Sequence, residues 1–190
     1  MVYAFIVHTL NPGPCRVLFS TSFIQDLDVD DTEDPRTTRK ENLQLVAQRM
    51  QSEYAFTQVA SGVILREDLS GMSTTEEILA QLESGIFRLQ AGNPFSTDKV
   101  VVWKGTGNCG FCLVCEPTEN RIIAENVLIL LIRFIQEYCR VIPQTAEAIL
   151  KADKLAAVTH QFLPNGQLLF MNHRFVRQME KELEQVMAMK

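Results

Sequence analysis

Val100-Val-Val-Trp103-Lys-Gly105-Thr-Gly107-Asn-Cys109-Gly110-Phe-Cys112-Leu-Val-Cys115 is the stretch on which the fold turns. Asp98–Lys104 and Gly110–Glu116 are short runs rich in β-branched and apolar residues, with glycines between them, and this pattern predicts two antiparallel strands joined by a tight turn. Three chemical motifs overlap the same residues. Gly105, Gly107 and Gly110 spell GxGxxG, but a dinucleotide site needs the third glycine to open a helix whose N-terminus faces a pyrophosphate. Here Gly110 opens Phe111–Cys115, a strand-like run that stops at Pro117. Cys109 and Cys112 form a CxxC pair, and a redox-active pair of that kind needs its first cysteine at a helix N-terminus, where the dipole lowers the thiol pKa. Cys109, Cys112 and Cys115 leave a tetrahedral zinc one ligand short, and alternation along a strand sends Cys112 away from Cys115. The expectation is that Cys112 and Cys115 are small apolar fillers of a central strand, with Cys109 the one thiol of the stretch that reaches solvent.

Outward from this hairpin, Val2–Thr9 is apolar at both parities, as a strand buried on both faces should be. Asn11-Pro-Gly-Pro14 is a turn and Cys15–Ser20 a second strand. A polar loop runs through Arg36. Thr38-x-x-Glu41 has the form of a capping box, followed by Leu43, Val46, Met50 and Tyr54 at helical spacing to about Val59. Ser73-x-x-Glu76 before Ile78, Leu79 and Leu82 predicts a short helix, and Gly85–Gln90 a strand. After the turn Pro117–Asn120 comes a long helix, Ile123–Val141, stopped by Pro143. Another helix carries Leu155, Val158 and Phe162 and breaks at Leu163-Pro-Asn-Gly166; Gln167–Met171 is extended. Asn172 caps a last helix bearing Phe175, Met179, Leu183 and Val186. The order ββ-α-βββ-α-α-α predicts an α/β (α+β) fold: a five-stranded antiparallel sheet flanked by helices on both faces, with extra C-terminal helices.

Composition narrows the function. The 190 residues are 46% hydrophobic and 22% charged, enough for one full-sized core, and the net charge of -5 argues against nucleic acid. Five unevenly spaced cysteines are no disulfide framework, so the thiols are expected to be reduced and the compartment cytosolic. The most apolar run, Val127–Ile132, is interrupted by Arg133, far short of the roughly 20 residues a spanning helix needs. The N-terminus has no basic region ahead of its apolar run, as a first strand would and a signal peptide would not. Asp26, Asp28 and Asp30 imitate an EF-hand opening but lack its glycine and its final glutamate. His8, His160 and His173 are scattered, with no nucleophile motif tying them together. No catalytic residue, metal ligand or cofactor is expected. The helix Ile123–Val141 is the informative one: Asn126, Arg133, Glu137 and Arg140 make a narrow polar stripe, and the rest of its circumference is apolar. It must be covered on more than one side, by the last two helices or by a partner chain.

Ala4-Phe5, His8-Thr9-Leu10 and Cys15-Arg16-Val17-Leu18 resemble the opening hairpin of the sigma (small) subunits of the fifth heterotetrameric adaptor complex, a longin-like family. Asn93-Pro94-Phe95, Val101-Val102-Trp103 and Gly110-Phe111 resemble its fourth and fifth strands. Phe162-Leu163-Pro164-x-Gly166-Gln167-Leu168-Leu169-Phe170-x-Asn172, with Phe175-Val176 and Glu180-Lys181-Glu182, is the most specific match. The match weakens between Ser20 and Ser84, so residues 61–84 are expected to form an insert within a single domain spanning 1–190. The resemblance implies a non-catalytic scaffold, embraced by a large solenoid subunit in a heterotetramer with a second large and a medium chain. It also implies a peripheral place on late endosomes and lysosomes. In related sigma chains a basic residue on the second strand and a pocket along the helix after the fifth strand bind acidic dileucine signals; Arg16 matches the first and Ile132 the second. Where those chains carry an asparagine near the helix end this one has Val141, so dileucine binding is not expected. Ile129, Leu130, Ile132 and Arg16 are the expected partner-binding residues. Two other classes stay open: a thiol-dependent oxidoreductase using Cys109 and Cys112, and a longin-type regulator of a SNARE or small GTPase.

Overall fold

The computed structural model describes residues 1–24, 34–61 and 74–188. Five strands form one antiparallel sheet: β1 (Val2–Thr9), β2 (Val17–Ser22), β3 (Glu83–Leu89), β4 (Lys99–Thr106) and β5 (Cys109–Cys115). Their order across the sheet is β2-β1-β5-β4-β3, so the first strand sits beside the last. In the β4–β5 hairpin Thr106 pairs with Cys109, which leaves only Gly107 and Asn108 in the turn. Gly107 takes φ 54°, a left-handed conformation that a side chain disfavours, and this is the physical use of its glycine.

Side-chain alternation divides the core in two. Cys109, Phe111, Leu113 and Cys115 point to one face, Cys112 and Val114 to the other. Two bulges adjust the parity. Ala4 pairs with Val114 but Val2 with Cys115, so Tyr3 is the extra residue, and it joins Ala4 on the second face. Val7 pairs with Phe19 but His8 with Val17, so Leu18 is extra and lies with Phe19 on the first face.

One helix, α1 (Pro35–Ser61), covers the second face with Leu43, Val46, Ala47, Met50 and Tyr54. The other face carries α2 (Thr75–Ala80), α3 (Arg121–Cys139), α4 (Glu147–Leu150), α5 (Ala152–Phe162) and α6 (His173–Ala188). The expected architecture is therefore the observed one, a longin-like sheet between helices, with α2 and α4 as short additions.

Several boundaries differ from expectation for identifiable reasons. Asp34, not Thr38, caps α1: its carboxylate accepts from the Arg36 N–H at 3.2 Å and the Thr37 hydroxyl at 3.2 Å, and Pro35 occupies the first turn, where no N–H is needed. Thr38 is already helical. The capping box of α2 is Thr74 with Glu77, one residue beyond the expected pair, and both of its reciprocal bonds form. Ser73 and Asp26, Asp28 and Asp30 lie outside the described residues. Asn120 caps α3, which ends at Cys139, two residues before the expected Val141, because Arg140 turns left-handed (φ 56°, ψ 43°) and returns its N–H to the Gln136 carbonyl. Gln167–Met171 forms no ladder with the sheet. Asn172 does cap α6, accepting from the Phe175 N–H at 2.9 Å.

Candidate partner interface

The apolar helix α3 finds most of its cover within its own chain. Ala124, Val127, Leu128, Leu131, Ile132, Phe134, Ile135 and Cys139 are buried, and the Phe134 ring stacks on Phe162 of α5 at 4.5 Å. Asn126, Arg133, Glu137 and Arg140 are exposed, which is the predicted polar stripe. Ile122, 72% exposed, lies on the same side. One turn on from Ile122, Glu125 accepts a hydrogen bond from Lys104 Nζ of β4 at 2.8 Å, pinning the helix to the sheet. α3 thus packs on β4 and β5 below and on α5 beside it.

This arrangement sorts the expected contact residues. Ile132 is 0% exposed and sealed in the core, so it lines no open pocket and presents no surface to a partner. Leu130 is half-buried against that core. Ile129 is half-buried and borders the exposed stripe. Arg16 is exposed immediately before the edge strand β2; its own N–H donates to Thr9 Oγ1 at 3.0 Å, and no ion pair involves it among the described residues. Arg16 and the α3 residues belong to different parts of the molecule, since β2 and the β4–β5 hairpin that α3 covers are separated by β1. Val141 is wholly buried, where an asparagine amide would need partners.

The surface also holds apolar side chains that the reading of the sequence left out. Leu45, Phe56 and Val59 on α1 are 47%, 72% and 82% exposed. Their spacing of eleven and three residues aligns them along the side of α1 opposite Leu43, Met50 and Tyr54. Ile149 and Leu150 on α4 and Phe170 before α6 are exposed as well. The signal for α1 was present: apolar residues recur on two opposed faces of one helix.

The thiols close off redox chemistry at the hairpin. Cys109, expected at solvent, is fully buried, because it pairs with both Thr9 and Thr106 and belongs to the ladder and not to the turn. Burial raises its pKa and that of Cys112, and pushes Cys115 up to about 12. Cys109 and Cys112 project from opposite faces of the sheet, so they cannot form the disulfide that a CxxC oxidoreductase cycles through. Cys15 Sγ lies 3.5 Å from His8 Nδ1, which looks like a nucleophile and its base. Burial acts against it, raising the Cys15 thiol to about 11 and lowering His8 to about 4, so both are neutral at pH 7. Among the described residues no three His, Cys, Asp or Glu side chains converge as metal ligands, and no helix is long and apolar enough to cross a membrane.

Comparison with known proteins adds the family. The model of the family described as AP-5 complex subunit sigma-1 matches residues 1–184. A human protein named AP-5 complex subunit sigma-1 is 39% identical over 194 residues, covering 96% of each chain. A mouse protein of the same name is 35% identical over 154 residues, covering 75% of this chain and 90% of the relative.

Proposed function

The chain belongs to the AP-5 complex subunit sigma-1 family, and from that membership we propose that it is the non-catalytic small subunit of a heterotetrameric vesicle adaptor. In this reading it packs against a large solenoid subunit, in a complex completed by a second large and a medium chain. It serves sorting at late endosomes and lysosomes, meets the membrane only peripherally through the complex, and needs no cofactor. The whole of 1–190 acts as one small-subunit domain.

The family match along nearly the full chain carries the proposal. The surface supports it: the core is closed, yet Ile122, Phe56, Val59, Ile149 and Leu150 remain more than half exposed. Ile129 and Leu130 beside the exposed stripe of α3, and Arg16 beside β2, are the proposed contact residues, with Ile132 supporting α3 from within. The buried Val141 and the sealed Ile132 favour a scaffold over a dileucine receptor.

Affinity purification of the tagged chain from cells tests this. Stoichiometric recovery of two large and one medium adaptor chain is expected. Recovery of a SNARE or a small GTPase without solenoid chains would overturn it.

A further inference from the structure

We propose that His8 is an acid-sensitive latch, which holds α1 closed on the sheet at neutral pH and lets it lift as the imidazole takes up a proton. The proposal is independent of the adaptor assignment and rests on how the ring is enclosed. His8 is 0% exposed and faces α1. Its Nδ1 lies 3.0 Å from the Thr9 carbonyl, an acceptor only, which assigns the ring hydrogen to Nδ1. Nε2 is then a bare acceptor, and it is the one buried side-chain polar atom among the described residues with no hydrogen-bond partner. It rests in a notch left by Gly110: a Cβ there would meet Nε2 at 2.7 Å and Met50 Cε of α1 at 3.0 Å.

The lid over this ring is α1 itself. Met50 closes the notch, and two glutamines fasten the helix to the β1–β2 turn: Gln44 Nε2 donates to the Cys15 carbonyl at 2.7 Å and Gln51 Nε2 to the Asn11 carbonyl at 2.6 Å. The titratable groups on this face are the Cys15 and Cys112 thiols, the Tyr3 and Tyr54 phenols and the Lys99 ammonium, which lies over the Tyr3 ring and pairs with Glu116 at 3.1 Å; burial raises the pKa of both thiols and of Tyr54. Other charged side chains on the surrounding elements are Arg16 beside β2, Arg49 and Glu53 paired with each other on α1, and Glu83 opening β3, which acts on Tyr54. None of them acts on the ring, whose proton affinity is set by burial first and the Thr9 carbonyl second. A proton on Nε2 therefore creates a buried cation and an N–H with no acceptor, while the opened state gives both to water.

The direction follows from linkage. The closed ring has its pKa lowered from 6.5 to about 4, so between those values the open state binds more protons. Above pH 6.5 the opening equilibrium is flat; below it, opening grows about tenfold per pH unit until the closed ring also titrates.

Hydrogen exchange of the full chain from pH 7.5 to 4.5, corrected for intrinsic rates, reads this directly. In the wild type the opening constant of α1 amides is expected to rise about tenfold per pH unit below 6.5, with α3 amides unchanged. His8→Leu, which keeps every carboxylate, should abolish the rise. An equal rise in His8→Leu, or α3 opening in step with α1, would sink the proposal. Should His8→Leu not fold, the His8 ring resonance in the wild type decides: a midpoint below pH 5 supports the latch, and one near 6.5 with α1 still protected overturns it.

Discussion

Cys109 and Cys112 stand three positions apart on β5 and on opposite sides of the sheet, Cys109 in the core beneath α3 and Cys112 in the core beneath α1. Each is a protonated thiol with no exposed surface. The native chain should leave both, and Cys115, unlabelled by a thiol reagent that modifies all five cysteines once denaturant is added. Rapid native labelling of Cys109, or zinc retained at one equivalent, would contradict the burial described here.

Trp103 lies across Gly85 of the neighbouring strand, its Cζ2 2.5 Å from where a Cβ would stand. The indole is itself held by Tyr54, ring centroids 6.3 Å apart. Gly85→Ala has to push the indole into α1, a cost of about 1–3 kcal/mol. Urea denaturation should show the loss, and the emission of Trp103, the chain's single tryptophan, should shift with it. An unchanged midpoint would mean that the ring has room to move.

The Lys104–Glu125 pair joins a side chain only 7% exposed to one 40% exposed. Glu125→Ala strands a nearly buried ammonium and should cost about 1–3 kcal/mol, reduced by whatever water reaches it. Lys104→Met in the same background removes the stranded charge and should recover most of that loss. If the double variant is no more stable than Glu125→Ala alone, the pair is not what anchors α3.

Ile132 and Ile122 separate folding from assembly. Ile132→Asp buries a carboxylate in the core and should prevent folding, at more than about 4 kcal/mol. Ile122→Asp changes an exposed position and should leave the melting temperature within the effect of about 0.5 kcal/mol. Recovery of the large subunit should nevertheless fall. Full recovery with Ile122→Asp would remove this side of α3 from the interface.

What the sequence disclosed follows from what is local. The polar stripe of α3, the Asn172 cap and all five strands come from periodicity and turn residues that neighbours in sequence supply. The errors arise where two local signals compete. Asp34-Pro35 and Thr38-x-x-Glu41 both announce a helix start, and the earlier one prevails because proline at the first turn is already shaped for it. Arg140 ends α3 in a conformation that glycine usually marks, so no residue type flags it. Cys109 was expected at the turn, but its two cross-strand partners are distant in sequence. The closure of α3 by α5, and hence the burial of Ile132, depends on tertiary packing that helical spacing alone does not specify.

The strand order has a consequence for how the chain reaches this state. β1 pairs with β2 at once, through a short turn, but its other edge belongs to β5, whose residues Cys109–Cys115 come about a hundred positions later. Until they emerge from synthesis, an apolar strand waits with one row of amides and carbonyls unpaired. The first strand made is thus among the last to be completed on both sides. Guarding that edge is a task the nascent chain faces before any adaptor subunit can meet it.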